Sequence, residues 1–268
     1  MAKKLRSMQL QRVFVLIAFS FLLVIGSVPA LGQSFLQEAV LTLDRNLSKA
    51  QKPIKQILFK PPTDEEPPPT RGAGSRSDRL CSQDALASHS SASTQPLALT
   101  ALVPPNQSNL TWAERPTVWV YVPETSARQI VLSVREESGQ PHSQRFVEIT
   151  GEAGIVGISM EEDAPPLEVD KVYQWAVVMI CGDRPNPNDP FVTAWIRRAE
   201  PTEPLSGSLS ALEKAAEYAQ FGIWYDALTA LAEERRSRPT DPALAKIWVD
   251  FLAQPTVGLE AIADEPLR

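Results

Sequence analysis

Hydrophobic and polar positions change their spacing several times along this chain, and each change marks a predicted element. Lys3, Lys4, Arg6 and Arg12 precede an apolar run, Val13–Ile25, which the small residues Ala30 and Gly32 close ahead of Gln33. A basic start, an apolar middle and a small-residue exit are the layout of a secretory signal peptide. The run falls short of the roughly 20 apolar residues that cross a bilayer. The pattern therefore predicts a signal peptide over 1–32, cleaved near Leu31 or Gln33, no stable membrane span afterwards, and a periplasmic or extracellular location. Between Ser34 and Leu47, the residues Phe35, Leu36, Ala39, Val40, Leu43 and Leu47 recur at a rough helical spacing, which predicts a short helix or tail over 33–52. From 53 to 96 the pattern dissolves into Pro61-Pro62, Pro67-Pro68-Pro69 and Ser88-His89-Ser90-Ser91, the composition of an extended, disordered linker.

Short apolar runs return between Leu97 and Ala199, separated by turn residues. The seven are Leu97–Val103, Thr117–Val122, Gln129–Arg135, Gln144–Ile149, Ile155–Met160, Val172–Cys181 and Phe191–Arg198. Ile130, Leu132 and Val134 alternate with Gln129, Ser133 and Arg135, so one face of that strand is solvated. Glu136–Pro141 reads as a hairpin loop. Thr117–Val122 and Val172–Ile180 are apolar on both faces and read as central strands. The pattern predicts a seven-stranded antiparallel β-sandwich of immunoglobulin or fibronectin type over 97–200.

After Pro201 and Pro204 the period becomes helical, over 205–268. Ser210-Ala211-Leu212-Glu213 has the form of a capping box, Gly222 breaks the first helix, and Asp241-Pro242 supplies a cap and a first-turn proline for a third. Trp224, Leu228 and Leu231 define the buried side of the second helix, and Leu244, Ile247, Trp248 and Phe251 form the stripe of the third. The fold class is thus α+β. Ala215, Tyr218, Gly222, Ala227 and Pro239 fall in the order and spacing of a tetratricopeptide unit, which this segment resembles, although Glu234 stands where a second small residue is usual.

Charge and cysteines refine the picture. Without the four basic residues of the leader, 22 Lys and Arg face 32 Asp and Glu, a net charge of −10 in place of −6. That balance argues against nucleic acid, which is held largely by Lys and Arg on phosphates, and against anionic lipid. Cys81 and Cys181 are the two cysteines. An exported chain with an even count favours a disulfide, which would close a loop of about 100 residues and contribute up to about 4.7 kcal/mol; two unpaired thiols are the alternative.

Little of the sequence points to a reaction. His89 lies in the Ser-rich segment and His142 beside the hairpin loop, and neither has the spacing of a zinc site. No Gly-x-Ser-x-Gly elbow occurs, and Arg71-Gly72-Ala73-Gly74 lacks the Lys-Ser/Thr of a phosphate loop. Two acidic places, Glu161-Glu162-Asp163 and the Asp183, Asn186, Asn188 and Asp189 loop, hold oxygens of the kind calcium takes, but neither fits an EF-hand and such clusters mostly make turns. No cofactor is implied. Trp112, Trp119, Tyr121, Trp175 and Trp195 could form a sugar-stacking platform, or pack a core.

Several stretches together resemble a cyanobacterial family of unknown function, number 928 (DUF928). They are Arg71–Arg76 ahead of a Cys, Leu99–Pro104, Arg115–Pro123, Cys181, Trp195–Arg198 and Gly222–Leu228. The resemblance covers roughly Arg71 to Leu252 and implies a cyanobacterial, envelope-associated protein with no assigned activity. The sequence as a whole therefore predicts an exported, non-enzymatic protein that binds an envelope or secreted protein partner. Its expected contact surface lies around Trp224, Tyr225 and Arg235. A carbohydrate-binding module and an envelope hydrolase are the alternatives.

Overall fold

Eight strands and three helices make up about half of the described residues. The computed structural model describes residues 54–62, 80–81, 83–84, 97–105, 109–201, 205 and 209–268. The predicted signal peptide and the 33–52 helix lie outside the described residues, as does most of the predicted linker. In chain order the strands are β1 (Thr100–Ala101), β2 (Asn109–Thr111), β3 (Thr117–Val122), β4 (Gln129–Glu136), β5 (Pro141–Glu148), β6 (Gly154–Ser159), β7 (Val172–Ile180) and β8 (Phe191–Arg198). The helices are α1 (Ala211–Gln220), α2 (Trp224–Ser237) and α3 (Pro242–Leu252), followed by a 3-10 turn at Glu260–Ile262.

The strands form two sheets: β1-β3-β6 and β2-β8-β7-β4-β5. Thr117-Val118-Trp119-Val120-Tyr121-Val122 makes a strand because β-branched and aromatic side chains suit a pleated surface, and as the middle strand of its sheet it is buried almost throughout. Its pairing with β6 sets Trp119 opposite Gly157, where a Cβ would stand 2.8 Å from the indole. Glycine there lets the ring lie flat across the neighbouring strand. The β4–β5 hairpin closes through Gly139 at φ 91°, a left-handed turn position inside the predicted loop.

Two features depart from the predicted sandwich. Among the described residues there are eight strands, because the three-residue β2 carries too short an apolar signal to be read as one. The sheet is also mixed: β2 runs parallel to β8, with Leu110 beside Arg197, where the sequence predicts antiparallel pairing throughout. Beyond β6, the terminal residues add a short parallel bridge, Ile155 to Leu267, held by Ile155 N–H to the Pro266 carbonyl at 2.7 Å and Arg268 N–H to the Ile155 carbonyl at 2.9 Å.

The helices start and stop as their caps dictate. The Ser210 side chain accepts from Glu213 N–H while the Glu213 side chain takes the Ser210 N–H, the reciprocal box that satisfies two helix-end donors. Asp241 accepts from the N–H groups of Ala243 and Leu244 ahead of Pro242. Gly222, at φ 73°, turns α1 into α2.

The predicted boundary between a β domain and a helical one is not a boundary in the packing. Residues Ile54–Arg268 form one compact unit. Trp224 Nε1 donates to the Leu102 carbonyl at 2.8 Å, Trp119 Nε1 to Thr229 Oγ1 at 3.0 Å, and Trp175 Nε1 to the Tyr225 hydroxyl at 2.6 Å. A helical hairpin cannot cover its own apolar faces, so the sheets cover them, and one core runs from Ile130 to Phe251.

The linker prediction also needs correcting where the chain is described. Ile57 and Phe59 are buried, and the Phe59 ring meets Trp224 edge-on at 5.0 Å. Gln254 spans the backbone of this strap, accepting Phe59 N–H at 2.9 Å and donating to the Ile57 carbonyl at 3.0 Å. Two apolar residues spaced two apart, the Gln254 amide and a bond from Lys60 N–H to the Ala219 carbonyl at 2.9 Å together dock it among prolines. Further along, Cys81 and Cys181 form a disulfide with 5.5 Å between their Cα atoms. The Asp84 carboxylate beside it accepts from Thr125 Oγ1 and from Ser126 N–H.

Candidate functional site

The second helix does not offer the contact surface expected of it. Trp224 and Tyr225 are buried, at 0% and 1% exposure. Trp224 stacks on Phe251 at 5.3 Å, and the Tyr225 hydroxyl donates to the Trp195 carbonyl at 3.0 Å while accepting from Trp175. Burial pushes the Tyr225 phenol well above its ordinary value, so it stays protonated. Arg235 lies 5.2 Å over the Trp248 ring, half-buried. The reason is geometric: α2 is the helix against both sheets, so its aromatic side faces inward.

A cleft of about 340 Å³ opens where α1 and α2 meet the β2–β3 connection, lined by Arg115, Lys214, Tyr218, Asp226, Thr229 and Glu233 among others. Asp226 lies at its floor. Its carboxylate accepts from Thr111 Oγ1 at 2.7 Å and Trp112 N–H at 3.1 Å, which fastens the first turn of α2 to the end of β2. Desolvation raises its pKa, and those hydrogen bonds oppose the rise. Burial, then the Asp226 charge, raises the neighbouring Tyr218 phenol. The cleft thus gathers several ionisable groups, yet its buried carboxylate is already committed to a structural clamp.

The other predicted sites fall into place as loop and core chemistry. His142 Nε2 lies 3.1 Å from the Pro165 carbonyl, and its ring is 4.9 Å from Tyr173; His89 lies outside the described residues. In the Asp183–Asp189 loop, the Asp189 carboxylate accepts from Cys181 N–H and Asn186 N–H, closing the turn. Among the described residues no group of three or more His, Cys, Asp or Glu could hold a metal ion. Trp119, Tyr121 and Trp175 are core residues. Trp112 meets Tyr218 edge-on at 5.5 Å, and only Trp195 lies on an outer sheet face.

That face carries what the sequence reading missed. Residues that point away from the core on β5, β4, β7 and β8 align across the strands. One row is Phe146, Val131, Val178 and Phe191; the next is Gln144, Ser133, Ala176 and Thr193; a third begins at Arg135 and continues through Gln174 to Trp195. Phe146 and Phe191 remain 49% and 41% exposed, the second and third rows retain partial exposure, and Val131 is covered by its neighbours. Arg135 donates twice to Gln174 Oε1. The signal was available in the sequence: Phe146 shares its strand face with the polar Gln144 and Glu148.

Comparison with known proteins adds a family and no activity. No curated protein matches the chain. Among solved structures it is similar to the fn3 domain of human collagen alpha-1(XX) chain, at 16% identity over 45% of this chain and 98% of that one, TM-score 0.24. It is also similar to a glycosyl hydrolase family 2 member from Bacteroides cellulosilyticus, at 16% identity over 35% of this chain and 14% of that one, TM-score 0.19. The chain thus spans a small part of the hydrolase, and superpositions this loose carry no argument. Residues 71–267, most of the chain, match the family described as Domain of Unknown Function (DUF928), and the protein belongs to that family.

Proposed function

We propose that this is an exported, non-catalytic binding protein whose contact surface is the outer face of the five-stranded sheet. The observation that carries the reading is the pair Phe146 and Phe191, two large rings left exposed at opposite ends of one cross-strand row. Exposed large apolar side chains that share one face with partly exposed apolar neighbours make that face a candidate contact site. The surface moves from α2, where the sequence placed it, to β5 and β8.

Export is supported by the leader pattern of residues 1–32. The Cys81–Cys181 disulfide is compatible with an oxidising compartment, and among the described residues no helix is long and apolar enough to cross a membrane. The non-catalytic part of the reading rests on how the acidic residues of this cleft are held. Asp226 and Glu233, its two acidic residues, lie seven positions apart on α2. Their Cα atoms are therefore separated by about 10 Å along the helix, and Asp226 is held by Thr111 and Trp112.

Co-sedimentation of the purified chain with isolated cell-envelope material tests the reading. The wild type pellets, the double variant Phe146→Asp/Phe191→Asp stays in the supernatant, and Lys246→Glu on the exposed side of α3 pellets like the wild type. Equal pelleting of the double variant overturns the assignment of the face.

A further inference from the structure

The three cross-strand rows differ in size, and their order makes a trough. Phe146 and Phe191 stand as the raised ends of one side, with the lower Val131 and Val178 between them; Trp195, Gln174 and Arg135 form the other side; Ser133, Ala176 and Thr193 make a low floor, with the exposed Gln144 at its β5 end. On β8 alone, Phe191 and Trp195 stand four residues apart on one face with Thr193 between them. The trough runs across the strands, not along them.

We infer that this trough binds an extended, uncharged polysaccharide chain, a deepening that rests on the outer face being the contact surface. Three physical points select that occupant. The first is area. Three strand spacings by four residues along β8 give about 14 by 13 Å, or roughly 180 Å². A stable folded partner or a second copy needs about 800 Å² on each side, so the rows suit a thin ligand.

The second is direction. A peptide that joins a sheet does so at a free edge, by pairing main-chain groups. Here Ser133 and Ala176, the middle of the floor, lie over β4 and β7, interior strands whose N–H and C=O groups are already in ladders, while Gln144 at one end lies on the edge strand β5.

The third is charge. The floor side chains carry no charge, and the one cation in the walls, Arg135, is turned onto Gln174. The chain as a whole is acidic, at −6. A polyanion gains little here, and an uncharged polyol loses nothing. Sugar rings present C–H faces to aromatic rings such as Phe191 and Trp195, and hydroxyls to amide and hydroxyl groups such as Gln144, Ser133 and Thr193, which both donate and accept.

Calorimetric titration of the purified full chain with the hexamers of β-1,4-linked glucose and of β-1,4-linked N-acetylglucosamine tests the inference. Polygalacturonate serves as the acidic comparison. At least one neutral hexamer binds at millimolar concentration or tighter. Trp195→Ala and Phe191→Ser each raise Kd by about 5- to 10-fold, the worth of one ring contact. Phe221→Ala, which removes an exposed ring elsewhere, beside Trp112, leaves Kd unchanged. Phe191→Ser alters an exposed side chain, so its effect does not depend on whether Trp195→Ala folds. Failure of both neutral hexamers to bind overturns the inference, as does tighter binding of polygalacturonate or weakening by Phe221→Ala alone. If the hexamers fail while Phe146→Asp/Phe191→Asp still abolishes envelope co-sedimentation, the face stands and the ligand class falls. If the double variant also pellets like the wild type, both readings fall.

Discussion

Removing one oxygen atom should loosen the join between helices and sheets. The Tyr225 hydroxyl accepts from Trp175 Nε1 on β7 at 2.6 Å and donates to the Trp195 carbonyl on β8 at 3.0 Å. Tyr225→Phe keeps the ring and its packing but leaves a buried indole N–H and a carbonyl without this partner. An orphaned buried polar group costs about 1–3 kcal/mol, and the indole N–H, enclosed on all sides, sets most of the loss. The expected destabilisation is about 2–4 kcal/mol, or a fall of roughly 5–15 °C in Tm for a unit of this size. Urea unfolding followed by both tryptophan fluorescence and far-UV circular dichroism measures it. The double variant Trp175→Phe/Tyr225→Phe should lose less than the sum of the single changes, because the second substitution removes the group that the first orphans. A Tyr225→Phe protein within about 0.5 kcal/mol of wild type would refute the reasoning. So would two separate transitions in the wild type, since helices and sheets share one core.

Two further outcomes follow from local chemistry. Cys81→Ser opens a cross-link of sequence separation 100; the stability loss should be about 2–5 kcal/mol by urea unfolding, with amide exchange rising first around Gln83 and Asp84, and a loss under about 1 kcal/mol would show that packing alone holds the segment. The raised pKa of Asp226 has a definite sign. The folded chain holds that proton more tightly than the unfolded one, so the stabilisation is full below the unfolded value and is lost as pH rises through the folded one. The stability gap between wild type and Asp226→Asn should therefore shift toward wild type as pH falls from about 7 to about 4, and a gap that stays constant contradicts the desolvation account.

Strong local signals in the sequence survived folding. The Ser210–Glu213 box, the Asp241 cap and the Gly222 turn sit where their side-chain chemistry puts them, because capping is decided within a few residues. The strand over Thr117–Val122 and the disulfide were legible for similar reasons of composition and count. What could not be read is what distant residues do to one another. Nothing local marks Ile57 and Phe59 as ordered; the Gln254 amide, nearly two hundred residues away, fixes them. The helical spacing of Trp224, Leu228 and Leu231 marked one buried side of α2, but that Tyr225 lies buried beside them depends on the strands that α2 packs against. Parallel pairing of β2 with β8 likewise depends on two segments that only the fold brings together. At the candidate surface, Trp195 was legible as a possible sugar contact, but its alignment with Gln174, Arg135 and the Phe146–Phe191 row requires the register of four strands.

The most direct test places a photo-crosslinking residue at Phe191 and, separately, at Lys246, and irradiates each protein in the presence of isolated envelope material. An outer face that makes the contact gives a covalent adduct from position 191 and none from position 246. Equal yields from the two positions, or an adduct from position 246 alone, would contradict it.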